Sequence, residues 1–401
     1  MKILLVSQYF YPENFKINDL IFSLKKRGHE ITVLTGKPNY SKTTFFDGYG
    51  WKSDDFETIF DIPVYRANLF SRRNGDAIRL FLNYISFAIF ALFKLKKIQG
   101  PFDVIFVYQT SPVTVGIPAV FAKKVFKAPI YFWVQDLWPE SLKAAGGIKN
   151  KFILGLFNSL TIWMYNHSKK VLIQSNGFKE YILNQGILDN KLVYYPNPTE
   201  DFYYPLTGIK EHSKFFKKKF FNIVFAGNIG EAQSFKTIID AIALLKDLPV
   251  KIIVLGSGRY KQTALNLIKR NGLESHFDFL GSFPSKEMPI FFSHSDALLV
   301  SLKKSKIFSL TIPAKIQSYL ACGKPIIASL DGEGARIVEE AKCGVVSPAE
   351  NSVFLSEKIK ELMSIDKSEL HKMEINARTY YEKEFNRESL LERLESIFES
   401  Y

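Results

Sequence analysis

The chain has 401 residues, 47% of them hydrophobic and 23% charged, which excludes a disordered segment and leaves room for two ordinary domains. Its formal net charge is +13, from 53 basic and 40 acidic residues, a balance that suits anionic surfaces or phosphorylated ligands. No zinc-finger, helix-turn-helix or RNA-recognition signature accompanies that charge, which argues against nucleic acid.

The apolar run Ile3–Val6 is too short for a signal peptide and predicts a first strand, Ile3–Ser7. A helix over Asn18–Arg27 is predicted next, then a strand over Glu30–Leu34 after a stop at Gly28. Further strands are predicted at Val104–Val107, Ile130–Val134, Val171–Gln174 and Leu192–Tyr195, with helices near Ala119–Phe126 and Lys179–Gln185. Pro196-Asn197-Pro198 fits neither helix nor central strand and marks a domain boundary after 198. The second half repeats the alternation: strands Ile223–Ala226, Lys251–Leu255, Phe277–Leu280 and Ala297–Val300, with helices Phe235–Lys246, Tyr260–Asn271 and Lys286–His294.

The stretch Leu310–Val346 packs a helix, a Cys322-Gly323 stop, the strand Pro325–Ser329, a glycine loop, a second helix ending near Ala341 and a strand from Gly344. A strand leading through glycines to a helix start aims backbone N–H groups at an anion. Beyond 378 the chain is expected to end in a helix that packs back on the first domain, with Leu390, Leu391, Leu394, Ile397 and Phe398 as its buried face. The two cysteines, Cys322 and Cys343, read as small buried residues of a reducing compartment.

Strands alternating with helices imply doubly wound parallel sheets. Two such domains imply a cleft between them, with ligands at the strands' carboxyl ends. The expected domains are 1–198, 199–378 and the terminal helix 379–401.

Eight segments together carry a family likeness: MKILLVSQYFYPE, RGHEITVLTGKPNY, YFWVQDLWPESL, YYPNP, FAGNIGEAQSF, VLGSGR, FLGSFPSKEM and AKIQSYLACGKPIIAS. In this order they resemble glycosyltransferase family 4, retaining enzymes of the α/β GT-B fold with two Rossmann-like domains. The nearest flavour is similar to transferases of O-antigen, capsule and colanic-acid assembly, among them L-fucosamine transferases. The resemblance implies transfer of a sugar, in one reading an N-acetylated deoxyhexosamine. The implied donor is a nucleotide diphosphate such as UDP, and the implied acceptor is a polyprenyl-diphosphate-linked sugar. It also implies an enzyme at the inner face of the cytoplasmic membrane, with neither metal nor other cofactor.

The chain departs from the family pattern at several positions. The two glutamates usual before the ACG turn fall on Leu310 and Ser318, so ribose contact would pass to Ser318 or Gln317. The usual diphosphate-holding arginine and lysine fall on Asn228 and Gln233, and the usual mid-domain histidine falls on Gln135.

No DxD metal motif occurs, so leaving-group charge must be met by cations and helix starts. The candidates are Lys315, Arg259, Lys303 and Lys304, beside a tight turn at Gly227, Asn228 and Gly230. Lys303 and Lys304 read equally well as solvated surface charges. Gly281, Ser282 and Phe283 would read the base, while Gly332 and Glu333 open the loop helix. Glu339 and Glu340 read as surface charges. On the acceptor side stand Gln135, Asp136 and Glu140 after strand Ile130–Val134, and Glu13 and Asn14 after the first strand. Asp136 either orients and deprotonates the acceptor or caps the turn before Pro139; Asn14 is a candidate helix cap.

Two apolar runs, Leu80–Phe93 and Phe152–Tyr165, are shorter than the ~20 residues of a spanning helix. Their basic flanks (Arg72, Arg73, Arg79, Lys94, Lys96 and Lys97; Lys149, Lys151, Lys169 and Lys170) suit insertion into one leaflet, with core helices as the competing reading. A sugar-nucleotide epimerase or phosphorylase of the same fold, or a non-catalytic membrane-surface scaffold, are the alternative functions.

Overall fold

The computed structural model describes residues 1–40, 44–73, 77–146 and 150–400. They divide into two compact units, one formed by Met1–Pro196 with Leu390–Tyr401 and one by Asn197–Ser389. The division thus falls inside the Pro196-Asn197-Pro198 run, two residues before the expected boundary.

The first unit is built on eight strands: β1 (Lys2–Val6), β2 (Glu30–Gly36), β3 (Phe56–Ile59), β4 (Ile62–Ala67), β5 (Val104–Gln109), β6 (Ile130–Val134), β7 (Lys170–Ile173) and β8 (Leu192–Tyr194). Their order in the sheet is β3-β4-β2-β1-β5-β6-β7-β8. All pairings are parallel except that of β3 with β4. Runs such as Val104–Gln109 are buried at every position, as expected for strands covered on both faces. Chain order reverses between β1 and β5, the point where ligands gather on such sheets.

The β3–β4 hairpin has no counterpart in the sequence reading. Its two turn residues, Phe60 and Asp61, have φ of 48° and 60°, values usually signalled by Asn or Gly. Phe60 holds this conformation exposed, with its ring against Phe22 and Tyr11 at 5.0 and 5.8 Å between centroids.

The helix Lys16–Lys26 buries Ile17, Leu20, Ile21 and Leu24, one apolar stripe at helical spacing. Its cap is Phe15, whose side chain makes no capping bond. Asn14 is exposed, so the expectation of an Asn14 cap does not hold.

The terminal helix Arg387–Glu399 brings Leu390, Leu391, Leu394 and Phe398 into the first unit's core. The Phe398 ring meets Phe106 at 5.3 Å and Tyr131 at 5.0 Å, and its carbonyl accepts from the Tyr131 hydroxyl at 3.2 Å. Burying four such side chains contributes about 1.5–3 kcal/mol each.

The long apolar helix spans Ala77–Leu95 and is long and apolar enough by composition to cross a bilayer, yet one of its faces is a core face. Asn83, Ser86, Phe87, Ala91 and Leu95 are buried. Asn83 accepts from Gln8 Nε2 at 2.8 Å and donates to Asn39 Oδ1 and the Phe70 carbonyl. That network explains how a polar residue sits inside an apolar run. Ile78, Phe81, Leu82, Ile89 and Phe93 remain exposed on the other side. The expectation of a helix apolar nearly all round is therefore half right, and Phe87 is a core residue.

In the helix Lys151–His167, Phe157, Thr161, Met164 and Tyr165 are buried, while Phe152, Ile153 and Leu156 are exposed. Of the basic flanks, Lys94 is buried in an ion pair with Asp55, Lys170 donates to the Asn190 carbonyl, and Lys149 lies outside the described residues.

The second unit carries β9 (Phe221–Ala226), β10 (Val250–Leu255), β11 (Phe277–Gly281), β12 (Ala297–Ser301), β13 (Ile326–Ser329) and β14 (Gly344–Ser347). All are parallel, in the order β11-β10-β9-β12-β13-β14. This is the Rossmann order, with its reversal between β9 and β12. Ile223, Phe225, Val254, Leu299 and Ile327 join helix residues Ile238, Ile242, Leu355 and Ile359 in one core. The helices Lys306–Leu310 and Ser352–Ser364 were not foreseen.

Candidate functional site

At the carboxyl edge of the second sheet, two glycine loops are stitched together by main-chain bonds. Gly227 N–H donates to the Leu255 carbonyl at 2.8 Å, Ile229 N–H to Ser257 at 2.9 Å, and Tyr260 N–H to Ile229 at 3.0 Å. The packing admits no side chain at Gly256, where φ is 144° and a Cβ would lie 1.9 Å from the Gly227 carbonyl oxygen. These loops border a depression of about 760 Å³ lined by Asn228, Gly230, Glu231, Gln233, Arg259 and Tyr260. Arg259 forms no ion pair among the described residues.

Lys315 reaches the same edge from the first turn of the helix Ala314–Ala321. Its Nζ sits 4.0 Å from the centre of the Phe225 ring, and a Cβ on Gly227 would fall 2.7 Å from its Cε. Burial pushes its pKa down to about 7. No carboxylate pairs with it among the described residues. An arriving anion would restore the proton, so this cation is poised for a negative ligand.

Several other expected donor residues are engaged within their own unit. Gln233 Oε1 accepts the Gly230 N–H at 3.1 Å and so braces the loop. Gln317 is fully buried and donates to the Asn197 carbonyl at 3.0 Å, while Ser318 bonds back to the Ala314 carbonyl at 3.3 Å. Glu333 grips Arg336 through two bonds of 3.0 Å, Lys303 faces Glu231 at 3.4 Å, and Lys304 N–H donates to Glu350. A Cβ on Gly332 would meet the Ser309 carbonyl oxygen at 2.0 Å. Phe283 packs on Phe291 and His212, and the Gly281 carbonyl is taken by Gly256 N–H at 2.7 Å.

The carboxyl edge of the first sheet is built from side chains. Asp136 Oδ2 accepts from Ser111 Oγ at 2.9 Å, and burial holds its carboxyl above the usual range. Gln109 spans β5 and β6: its Nε2 donates to the Asp136 carbonyl at 3.1 Å, and its own carbonyl accepts Gln135 N–H at 2.8 Å. Glu13 is buried; its Oε1 accepts the Asn39 and Tyr40 N–H groups at 2.8 and 2.6 Å. Its Oε2 has no partner, and burial lifts its pKa to about 7. Glu140 instead pairs with Lys143 at 2.6 Å and accepts from Tyr181 at 3.3 Å.

The sequence reading missed the neighbours of Asp136. Tyr9 donates to the Ser111 carbonyl at 3.1 Å, and Arg72 donates to the hydroxyls of Tyr9 and Tyr84. In the sequence Arg72 stands out only as a basic flank of the apolar run Leu80–Phe93. The tyrosines come from segments far apart in sequence, so no local spacing could have grouped them.

Two parallel doubly wound units, the second in Rossmann order with a glycine-and-cation edge, define a GT-B protein. The model for "Glycosyl transferase 4-like domain" matches residues 16–198, and that for "Glycosyl transferases group 1" matches residues 209–380. The chain belongs to the glycosyltransferases that join these two domains. It is 27% identical over 254 residues to WbjE of Pseudomonas aeruginosa, named as a glycosyltransferase, covering 59% of this chain and 60% of that protein. It is 23% identical over 346 residues to WcaI of Escherichia coli, named as a colanic acid biosynthesis glycosyl transferase, covering 80% of this chain and 82% of that one. The crystal structure of Anabaena HepE in complex with UDP and glucose matches with a TM-score of 0.73 at 15% identity, over all of both chains.

Proposed function

We propose that this chain is a retaining glycosyltransferase of surface-polysaccharide assembly. It moves a sugar from a nucleotide diphosphate, UDP, to a polyprenyl-diphosphate-linked acceptor. The observation that carries this reading is Lys315, a cation without a carboxylate partner among the described residues, whose burial holds its pKa near 7, set against Gly227. A diphosphate at this edge would keep Lys315 protonated and give Arg259 a partner, so the two cations would take up the charge of the leaving group. The UDP of the HepE complex and the colanic acid name of WcaI support the donor and the pathway.

In this reading the acceptor hydroxyl attacks the anomeric carbon on the face that UDP leaves. The carbon–oxygen bond to the diphosphate breaks, and the hydroxyl proton passes to the departing phosphate oxygen. No protein nucleophile is needed. The charge is met by protein cations, without a metal. Asp136 orients the acceptor from the first unit, where Ser111 fixes one of its oxygens.

The protein would work peripherally at the inner face of the cytoplasmic membrane. Exposed Phe81 and Phe93, with Ile78 and Ile89 on the same helix, supply an apolar contact, and the net charge of +13 favours an anionic leaflet. The test is incubation of the purified protein with a panel of UDP- and GDP-sugars and an undecaprenyl-diphosphate-linked sugar, read by mass spectrometry. Addition of one sugar mass to the lipid from a UDP donor is expected. Donor hydrolysis or epimerisation without a glycosylated lipid contradicts it.

A further inference from the structure

Among the described residues, Arg72 in the first unit has an unusual setting for a half-buried cation. Its guanidinium carbon lies over the rings of Tyr9, Tyr40 and Tyr84, at 5.3, 4.9 and 5.6 Å from their centres. Nη2 donates to the Tyr9 and Tyr84 hydroxyls, and Nε is buried with no partner. No carboxylate among the described residues pairs with it. Asp136 Oδ2 in the same network accepts from Ser111 Oγ. Aromatic faces stabilise a cation without neutralising it, so the charge remains available to an anion.

A second set of unpartnered atoms lies on the same sheet edge. Gln8, Gln109, Gln135 and Gln174 stand at the carboxyl ends of β1, β5, β6 and β7, adjacent strands in the sheet. Each has one buried amide atom without a partner: Oε1 of Gln8, Gln109 and Gln174, and Nε2 of Gln135. The Gln109 orientation is fixed, because its Nε2 donates to the Thr110 and Asp136 carbonyls. Buried amide atoms are ordinarily paired. The three oxygens require donors, which a phosphate lacks and a sugar hydroxyl has. The guanidinium requires an acceptor of negative charge, which a neutral sugar lacks.

From these complementary demands we infer that the carboxyl edge of the first sheet is a phosphosugar subsite, with Arg72 holding the phosphate and the glutamine row reading the sugar hydroxyls. The inference rests on the proposed function in assigning this ligand to the acceptor. The chain Arg72, Tyr9, Ser111, Asp136 then ties the anion contact to the residue that orients the acceptor hydroxyl. An undecaprenyl-linked sugar and a free sugar phosphate share this chemistry.

The test is calorimetry on the full chain with citronellyl-diphosphate-linked N-acetylglucosamine, N-acetylglucosamine 1-phosphate, neutral octyl N-acetylglucosaminide and inorganic pyrophosphate. The two phosphorylated sugars are expected to bind at least about tenfold more tightly than the neutral glycoside, as one charge-assisted contact predicts, and pyrophosphate binding is expected not to depend on Arg72. Equal affinity of the two would make the phosphosugar the recognised unit, and tighter binding of the citronellyl compound would make the lipid-linked form the preferred source. Arg72→Gln should erase the preference over the glycoside, and Arg72→Lys, which keeps the charge but not the fork, should lose part of it with the melting temperature retained. Arg259→Gln should keep the preference while weakening UDP binding. Unchanged binding in both Arg72 variants, pyrophosphate binding that falls in Arg72→Gln as far as phosphosugar binding does, or loss of the preference in Arg259→Gln would overturn the inference. So would release of Arg72→Gln from phosphatidylglycerol vesicles with phosphosugar binding intact, since Arg72 would then be a bilayer contact. Arg72-dependent binding without any sugar transfer would leave this subsite standing while the proposed function fell.

Discussion

The two sheets end in carboxyl edges of opposite construction. In the second unit the edge is mostly backbone: glycines at 227, 256 and 258 pack so closely that a Cβ on Gly258 would lie 2.3 Å from the Ile229 carbonyl oxygen. Two cations without ion-pair partners among the described residues, Arg259 and Lys315, stand beside it. In the first unit the edge presents side chains: Tyr9 and Gln109 donate to the Ser111 and Asp136 carbonyls, and Ser111 donates to the Asp136 carboxylate. In the proposed function the second edge meets the diphosphate, a group that UDP- and GDP-sugars share and that fixed main-chain geometry can serve. An acceptor sugar differs from enzyme to enzyme, and side chains can be exchanged without rebuilding a loop.

The largest effect that would sharpen this contrast is expected at Gly256. Alanine there must push the Gly227 loop away, so Gly256→Ala should weaken UDP binding by on the order of a hundredfold or more and destabilise the second unit by about 1–3 kcal/mol. Calorimetry with UDP and a urea melt check both, and wild-type UDP affinity would mean that the loop is not the donor cradle.

Asp136→Asn comes next. It should lower transfer by about ten- to a hundredfold through loss of an acceptor contact, with UDP affinity unchanged. A collapse of UDP binding in this variant would erase the division of labour between the two edges.

How much of this was legible beforehand depends on range. Apart from β3 and β4, the strands of both sheets could be read because they are short apolar runs, as at Ile130–Val134. The β3–β4 hairpin could not be read, because Phe60 occupies a left-handed position with none of the usual turn chemistry. In the candidate site, Lys315, Asp136 and the Gly227–Gly230 loop were visible as local patterns. The Arg72 cage was not, since residues 9, 40, 72 and 84 meet only through the fold. Local motifs likewise gave no sign that Gln317 and Ser318 turn their hydrogen bonds inward.

A smaller effect is expected at the membrane. Phe81 and Phe93 are 51% and 61% exposed, so serine at both should release the protein from anionic vesicles by several-fold while the melting temperature holds. Phe87, fully buried, serves as the contrast: Phe87→Ser should lower the melting temperature instead. Unchanged partition of the Phe81/Phe93 variant would remove this helix from the membrane contact.

The smallest effect concerns Glu13. Its folded-state pKa of about 7 lies above the ordinary 4.5, so the folded protein binds more protons between those values and its stability falls as pH rises through that window. Glu13→Gln should flatten that part of the stability profile in urea melts taken from pH 4.5 to 7. An identical slope in the variant would show that the Glu13 carboxyl is ionised throughout.

The central claim, that the second unit's edge holds a nucleotide diphosphate on Lys315, is tested most directly by UDP calorimetry at pH 8 in buffers of different ionisation enthalpy. Free Lys315, with its pKa near 7, is mostly neutral at that pH and would be charged in the complex. UDP binding should therefore take up close to one proton, and Lys315→Met should abolish the uptake and weaken binding. Binding without proton uptake, or uptake that persists in Lys315→Met, would contradict the account.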